Sequence, residues 1–206
     1  MKTLYLVRHG HTVWHATGGV AGRTDIALSE RGRQAVKALR ASLPAVFAVA
    51  STGENLPPAW CCSPVQRTVE TASLLCGDAP LASDPRLVEL DFGDWEGSTW
   101  EAVHRDHGAQ LAAWGENWVS GAPPNGESFA QQLARCALWL DEAQGERGDV
   151  RVAVAHGGTI RALLSLLLGH APQQAMRFRI DPAHVCRLDR RGEGWTLRAS
   201  NLARFV

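Results

Sequence analysis

A chain of 206 residues that is 45% hydrophobic and 20% charged has the balance of one packed globular domain, which excludes a disordered or fibrous protein. Its 21 basic and 21 acidic residues cancel to a formal net charge of zero, so the basic excess that nucleic-acid binding demands is absent. Cys61, Cys62, Cys76, Cys136 and Cys186 form neither a CxxC pair nor zinc-ribbon spacing and read as reduced structural thiols.

In chain order, residues 4–7 are a short apolar run closed by Gly10, the pattern of a buried strand followed by a functional loop. Four apolar residues before Arg8 are too few for a signal peptide. LLSLLLG at 163–169 falls far short of the roughly 20 apolar residues of a membrane span. The expectation is a soluble, cytoplasmic protein with no membrane partner.

Ser29 caps a predicted helix in which Ala35, Leu39 and Leu43 recur until Pro44 stops it. Residues 46–49 and 59–62 are predicted strands, with STGENLPP between them as a surface excursion. Ser63-Pro64 starts a second helix, with Ser63 as N-cap and Pro64 in the first turn. Residues 85–125 are less regular and rich in tryptophan, and read as an excursion over the site. A helix follows over 128–144, a β-branched central strand over 150–155, a helix over 159–168, and strands over 184–189 and 195–199. Strands alternating with helices predict an α/β fold, a three-layer α/β/α sandwich with a largely parallel central sheet, in one domain spanning 1–206.

Ligands of such sheets bind beyond the carboxyl ends of the strands. Three predicted strand ends carry Arg8-His9-Gly10, Ser63-Pro64 with Arg67 one turn on, and His156-Gly157. Two histidines, two arginines and a helix start in one place make a phosphate site, because guanidinium forks and helix-start N–H groups match phosphate oxygens.

The motifs LVRHGHT at 6–12, SPVQRTVETA at 63–72, VELDFGDWEG at 88–97 and VAHGGTIRALL at 154–164 together resemble the histidine phosphatases, the phosphoglycerate-mutase-like superfamily. The resemblance covers essentially the whole chain. It implies that His9 attacks phosphorus, that Arg8, Arg67 and His156 hold the nonbridging oxygens, and that Glu89 protonates the leaving oxygen, with no metal and no cofactor. His15, Arg23 and Gly157 join the substrate contacts. Asp94 is the rival acid, whereas His104, His107, His170 and His184 are assigned to surface or structural roles.

Two positions depart from the family pattern. His11 stands where Glu or Gln is common, and His15 stands where the family places a phosphate-contacting Asn. His15 is expected to donate to phosphate as an imidazolium. His9, His11 and His15 also spell H-x-H-x-x-x-H, a pattern open to zinc, although no carboxylate or cysteine completes it.

Outside the catalytic motifs, FGDWE at 92–96, AWGENW at 113–118, PPNGES at 123–128, FRID at 178–181 and LRASN at 197–201 are similar to the α-ribazole-5′-phosphate phosphatases of that superfamily. This implies hydrolysis of a small phosphomonoester, with Trp95, Trp114 and Trp118 as stacking faces for an aromatic base. A broad-specificity phosphatase, a mutase-like enzyme and a catalytically silent phosphate-binding module are the alternatives. The oligomeric state is left open, a homodimer being one option.

Overall fold

Along β1 (Thr3–Arg8), Leu4 and Leu6 face one side of the sheet and Tyr5 and Val7 the other, all four with no exposed surface. β4 (Val150–Ala155) alternates in the same way, Ala153 and Ala155 joining the first side and Val150, Val152 and Val154 the second. Strands buried on both faces need a layer of helices on each. The computed structural model, which describes residues 1–50, 57–145 and 148–203, supplies both layers. α4 (Phe129–Gly145) and α5 (Gly157–Leu168) cover one face through Cys136, Leu140, Ile160 and Leu163. α1 (Glu30–Ala50) and α2 (Gln66–Cys76) cover the other through Val36, Leu39, Ala72 and Leu75.

The sheet runs β3-β2-β4-β1-β5-β6, where β2 is Ala59–Cys62, β3 is Leu81–Ser83, β5 is Val185–Arg191 and β6 is Gly194–Leu202. The first four strands are mutually parallel; β5 and β6 add an antiparallel edge. The largely parallel α/β sheet expected from the sequence is what forms.

Several local expectations are corrected. α1 passes through Pro44 and runs to Ala50, so residues 46–49 are helical rather than a strand. A four-residue apolar run does not distinguish strand from helix, and the alanine-rich segment after the proline can keep its backbone bonded internally. Of the STGENLPP excursion, residues 51–56 lie outside the described residues. α2 begins at Gln66 with an extended Val65 at its N-cap, so Ser63 does not cap it. Within 85–125 the chain forms a helical segment, α3 (Trp100–Glu116), which is broken by a kink at His107 and whose N-cap Thr99 accepts from the Ala102 N–H (3.1 Å). Its periodicity was illegible because Val103 alone is buried on it.

Candidate active site

The register that pairs Arg8 with Ala155 sets the residues after them, His9 and His156, side by side at the carboxyl ends of β1 and β4. Their ring centroids are 5.2 Å apart. β2 ends one strand further on, and Ser63 Oγ lies 2.9 Å from His156 Nε2. His156 is extended and α5 starts with the very next residue, so the N-terminus of that helix opens onto the histidine pair. Gly10 is required where the chain leaves β1, because a Cβ there would come 2.9 Å from the Gly32 carbonyl oxygen. The Gly10 N–H donates to Thr71 Oγ1 (3.1 Å), whose hydroxyl donates to the Arg67 carbonyl (2.7 Å), tying the β1 loop to α2.

Hydrogen bonds fix the tautomers. His9 Nδ1 is 2.7 Å from the Gly10 carbonyl, which only accepts, so Nδ1 carries the proton and Nε2 keeps a free lone pair. The Thr12 N–H donates to His15 Nδ1 (3.0 Å), which puts the proton of the neutral ring on Nε2. That Nε2 is 3.5 Å from Arg8 Nη2, two donors facing one place. Arg8 Nη1 donates to the Ile180 carbonyl (2.7 Å), and Arg67, fully buried, donates to the carbonyls of Thr24 (2.8 Å) and Gly22. Arg8 Nε, Arg67 Nε and His156 Nδ1 are buried without a hydrogen-bond partner among the described residues.

Burial, reinforced by Arg67 and Arg8, holds the His9 imidazole well below its ordinary range, and burial with Arg67, His9 and Arg8 does the same to His156. Burial together with Arg8, His11 and Arg67 lowers His15 to about 4. In the ligand-free enzyme the His15 ring is therefore held neutral near pH 7, with its proton on Nε2. The sign of the pH effect on stability follows. Between the ordinary value near 6.5 and these lowered folded values the unfolded chain binds more protons, so stability falls as pH falls. Tm is expected to drop by about 5 °C between pH 7.5 and pH 5, and by less in His15→Asn. Calorimetry showing a flat or rising Tm would mean that the folded histidines are charged.

Glu89 lies against the start of α5, accepting from the Gly158 N–H at Oε2 (3.0 Å) and from the Leu90 and Thr159 N–H groups at Oε1 (2.9 and 3.2 Å). With Arg8, His9, His15 and Gly157 it lines a cavity of about 400 Å³. Six aromatic side chains also line that cavity, Trp14, Phe92, Trp100, Trp114, Trp118 and Phe129. Trp100 and Trp114 stack at 16° with centroids 6.3 Å apart.

Not every candidate joins this cavity. Trp95 has no exposed surface and packs on Val20 and Val103, so it offers no stacking face; a residue that large is a core-former wherever it is enclosed. Arg23 is half exposed and paired with Asp91 (3.3 Å) and Glu127 (3.7 Å), outside the residues that line the cavity. The rival acid Asp94 is an exposed partner of Asn125 Nδ2 (3.0 and 3.1 Å). The rings of the H-x-H-x-x-x-H set lie near one another, with centroids 6.0 Å apart for His9 and His15 and 5.0 Å for His11 and His15, but no three His, Cys, Asp or Glu side chains among the described residues are grouped to hold a metal ion. Sequence reasoning passed over Trp14, Trp100, Gln132 and Arg161. Arg161 was legible, since it lies four residues after Gly157 on the same face of α5.

The chain was compared with known proteins. The adenosylcobalamin/alpha-ribazole phosphatase of Escherichia coli (strain K12) is 29% identical over 203 residues, covering 96% of this chain and 95% of that protein. The 2,3-bisphosphoglycerate-dependent phosphoglycerate mutase 2 of Gloeobacter violaceus is 29% identical over 190 residues, covering 88% and 82%. The crystal structure of the alpha-ribazole phosphatase from Shigella flexneri superposes with a TM-score of 0.86 at 26% identity, covering 99% of this chain and 98% of the other. The family model for the histidine phosphatase superfamily (branch 1) matches residues 4–203. A match that spans both ends of the sheet, on a fold that brings His9 and His156 ring to ring, leaves one conclusion: this chain is an enzyme of the histidine phosphatase superfamily, branch 1.

Proposed function

We propose that the enzyme hydrolyses phosphomonoesters through a covalent phosphohistidine on His9 Nε2, and that its substrate is an aromatic nucleoside phosphate of the α-ribazole 5′-phosphate kind. The observation that carries the reading is the unprotonated, buried Nε2 of His9 in the company of three unpartnered donors, Arg8 Nε, Arg67 Nε and His156 Nδ1. In the tautomer in which Ser63 Oγ–H donates to His156 Nε2, the imidazole proton sits on Nδ1 and all three unpartnered atoms donate. A phosphoryl group supplies the acceptors they lack, and these preplaced donors stabilise the charge on its equatorial oxygens. Nε2 bonds to phosphorus as the ester P–O bond breaks, and Glu89 gives its proton to the leaving oxygen. Water then attacks phosphorus, the P–N pair returns to Nε2, and Glu89 takes up a proton from the water.

Those contacts are shared by every phosphomonoester, so selectivity rests with the rest of the cavity. The stacked Trp100 and Trp114 offer a flat aromatic group a face worth about 1 kcal/mol, and the similarity to the α-ribazole phosphatases points the same way. Arg161, which also lines the cavity, supports a second reading in which it receives the carboxylate of a phosphoglycerate. The two are separated by kcat/KM. For α-ribazole 5′-phosphate it is expected to exceed that for 3-phosphoglycerate by at least about tenfold, an advantage of about 1.4 kcal/mol. Trp100→Ala and Trp114→Ala should each erode the advantage about fivefold while a small alkyl phosphate is turned over nearly as before. A flat profile, or a preference for 3-phosphoglycerate that Arg161→Met removes, would overturn the aromatic assignment.

A further inference from the structure

Gln132 has no exposed surface, on a helix whose other buried residues, Phe129, Cys136, Trp139, Leu140 and Ala143, are apolar. Its amide nitrogen donates to Glu89 Oε1 and to Thr159 Oγ1, both at 3.2 Å, while its amide oxygen is buried without a partner among the described residues. The orientation of the amide is set by its neighbours. The Thr159 hydroxyl donates to the Val88 carbonyl (2.8 Å), so Thr159 Oγ1 has only lone pairs to offer and the amide must present its NH₂ group. A buried carbonyl with no donor destabilises a fold, and an apolar side chain of similar length would escape that loss. Stability therefore does not account for a glutamine here, whereas its hold on Glu89 does.

The donors around Glu89 are unevenly shared. Oε1 receives three, from Leu90 N, Thr159 N and Gln132 Nε2; Oε2 receives one, from Gly158 N. Gly158 leaves the space for this arrangement, since a Cβ on it would collide with Glu89 Oε1 and come 3.3 Å from Gln132 Oε1. An oxygen facing three donors has no open lone pair for a proton, and its partner does.

We infer that Gln132 is a positioning residue which, with Thr159, saturates Glu89 Oε1 so that Glu89 exchanges its proton through Oε2. The inference rests on Glu89 being the acid and base proposed above. When the ester P–O bond breaks, the proton on Oε2 passes to the leaving oxygen and the carboxylate remains; when water attacks the phosphohistidine, the water's proton returns to Oε2 as the P–N pair returns to His9. Without Gln132, Oε1 keeps only the Leu90 and Thr159 N–H groups, so it has room for a proton and proton transfer is no longer confined to Oε2.

The test measures kcat, KM and Tm for Gln132→Met, Thr159→Val and Thr159→Ser with an alkyl phosphate and with p-nitrophenyl phosphate. In Gln132→Met, kcat on the alkyl phosphate should fall about tenfold or more and on p-nitrophenyl phosphate less than about threefold, with KM within about twofold. Tm should equal or exceed that of the wild type. Thr159→Val should lose activity in the same selective way, and Thr159→Ser should retain it. Equal losses on both substrates, or a lowered Tm with unchanged kcat per folded enzyme, would overturn the inference. Glu89→Gln is measured alongside. If it lacks the leaving-group dependence, the acid assignment fails and this inference with it; if it shows the dependence and Gln132→Met does not, the positioning role alone falls.

Discussion

His9→Ala is expected to reduce turnover of every phosphomonoester by at least about 10⁴-fold, because it deletes the atom that bonds to phosphorus and no neighbouring side chain can replace it. His156 is the nearest imidazole, but its Nε2 is engaged by Ser63 Oγ. The arginine donors stay in place, so the variant should still bind substrate and should titrate as a tight but inert receptor. Wild-type enzyme quenched during turnover of labelled substrate should carry an acid-labile, base-stable phosphoryl group on the peptide containing His9. A label on a serine or a carboxylate would sink the mechanism.

The second large effect belongs to Glu89. Glu89→Gln keeps the shape of the side chain and one of its two acceptor oxygens for the start of α5, but it has no proton to give. For an alkyl phosphate, whose leaving oxygen departs poorly as an alkoxide, kcat should fall by roughly 10²–10⁴, the usual contribution of a positioned general acid. With p-nitrophenyl phosphate, whose leaving group is stable as an anion, the loss should be much smaller. Equal losses on the two substrates would show that Glu89 is not the proton donor.

The elements legible in the sequence are those whose physics is local. β1 read as a strand because residues buried on both faces leave an apolar run, and β4 because its β-branched apolar run is broken only by Arg151. His9, His156, Arg8 and Arg67 belong to short motifs and were found. What stayed illegible depends on tertiary placement. Trp95 and Trp100 lie five residues apart in a tryptophan-rich stretch, and only packing decides that Trp95 is enclosed while Trp100 is 42% exposed beside the cavity. The pull on the ligand-free His15 ring toward its neutral form was not legible because burial and the nearby Arg8 act only in the folded loop. Gln132 was missed because a glutamine on an amphipathic helix looks like a solvated residue until it is seen to be buried. The H-x-H-x-x-x-H spacing does bring its three rings near one another, but edge-on, with no three ligand atoms grouped for a metal ion among the described residues.

The short loop at 22–24 is held from both sides: Arg67 takes its carbonyls, and Glu96 accepts from the N–H groups of Arg23 and Thr24 (both 2.7 Å) and from the Thr24 hydroxyl. Glu96 arrives from the tryptophan-rich segment and Arg67 from the sheet domain, so the loop is a joint between parts far apart in sequence. The direction of the Arg67 guanidinium is therefore set by contacts between segments far apart in sequence, and each such contact must outweigh the loop-closure entropy of bringing those segments together.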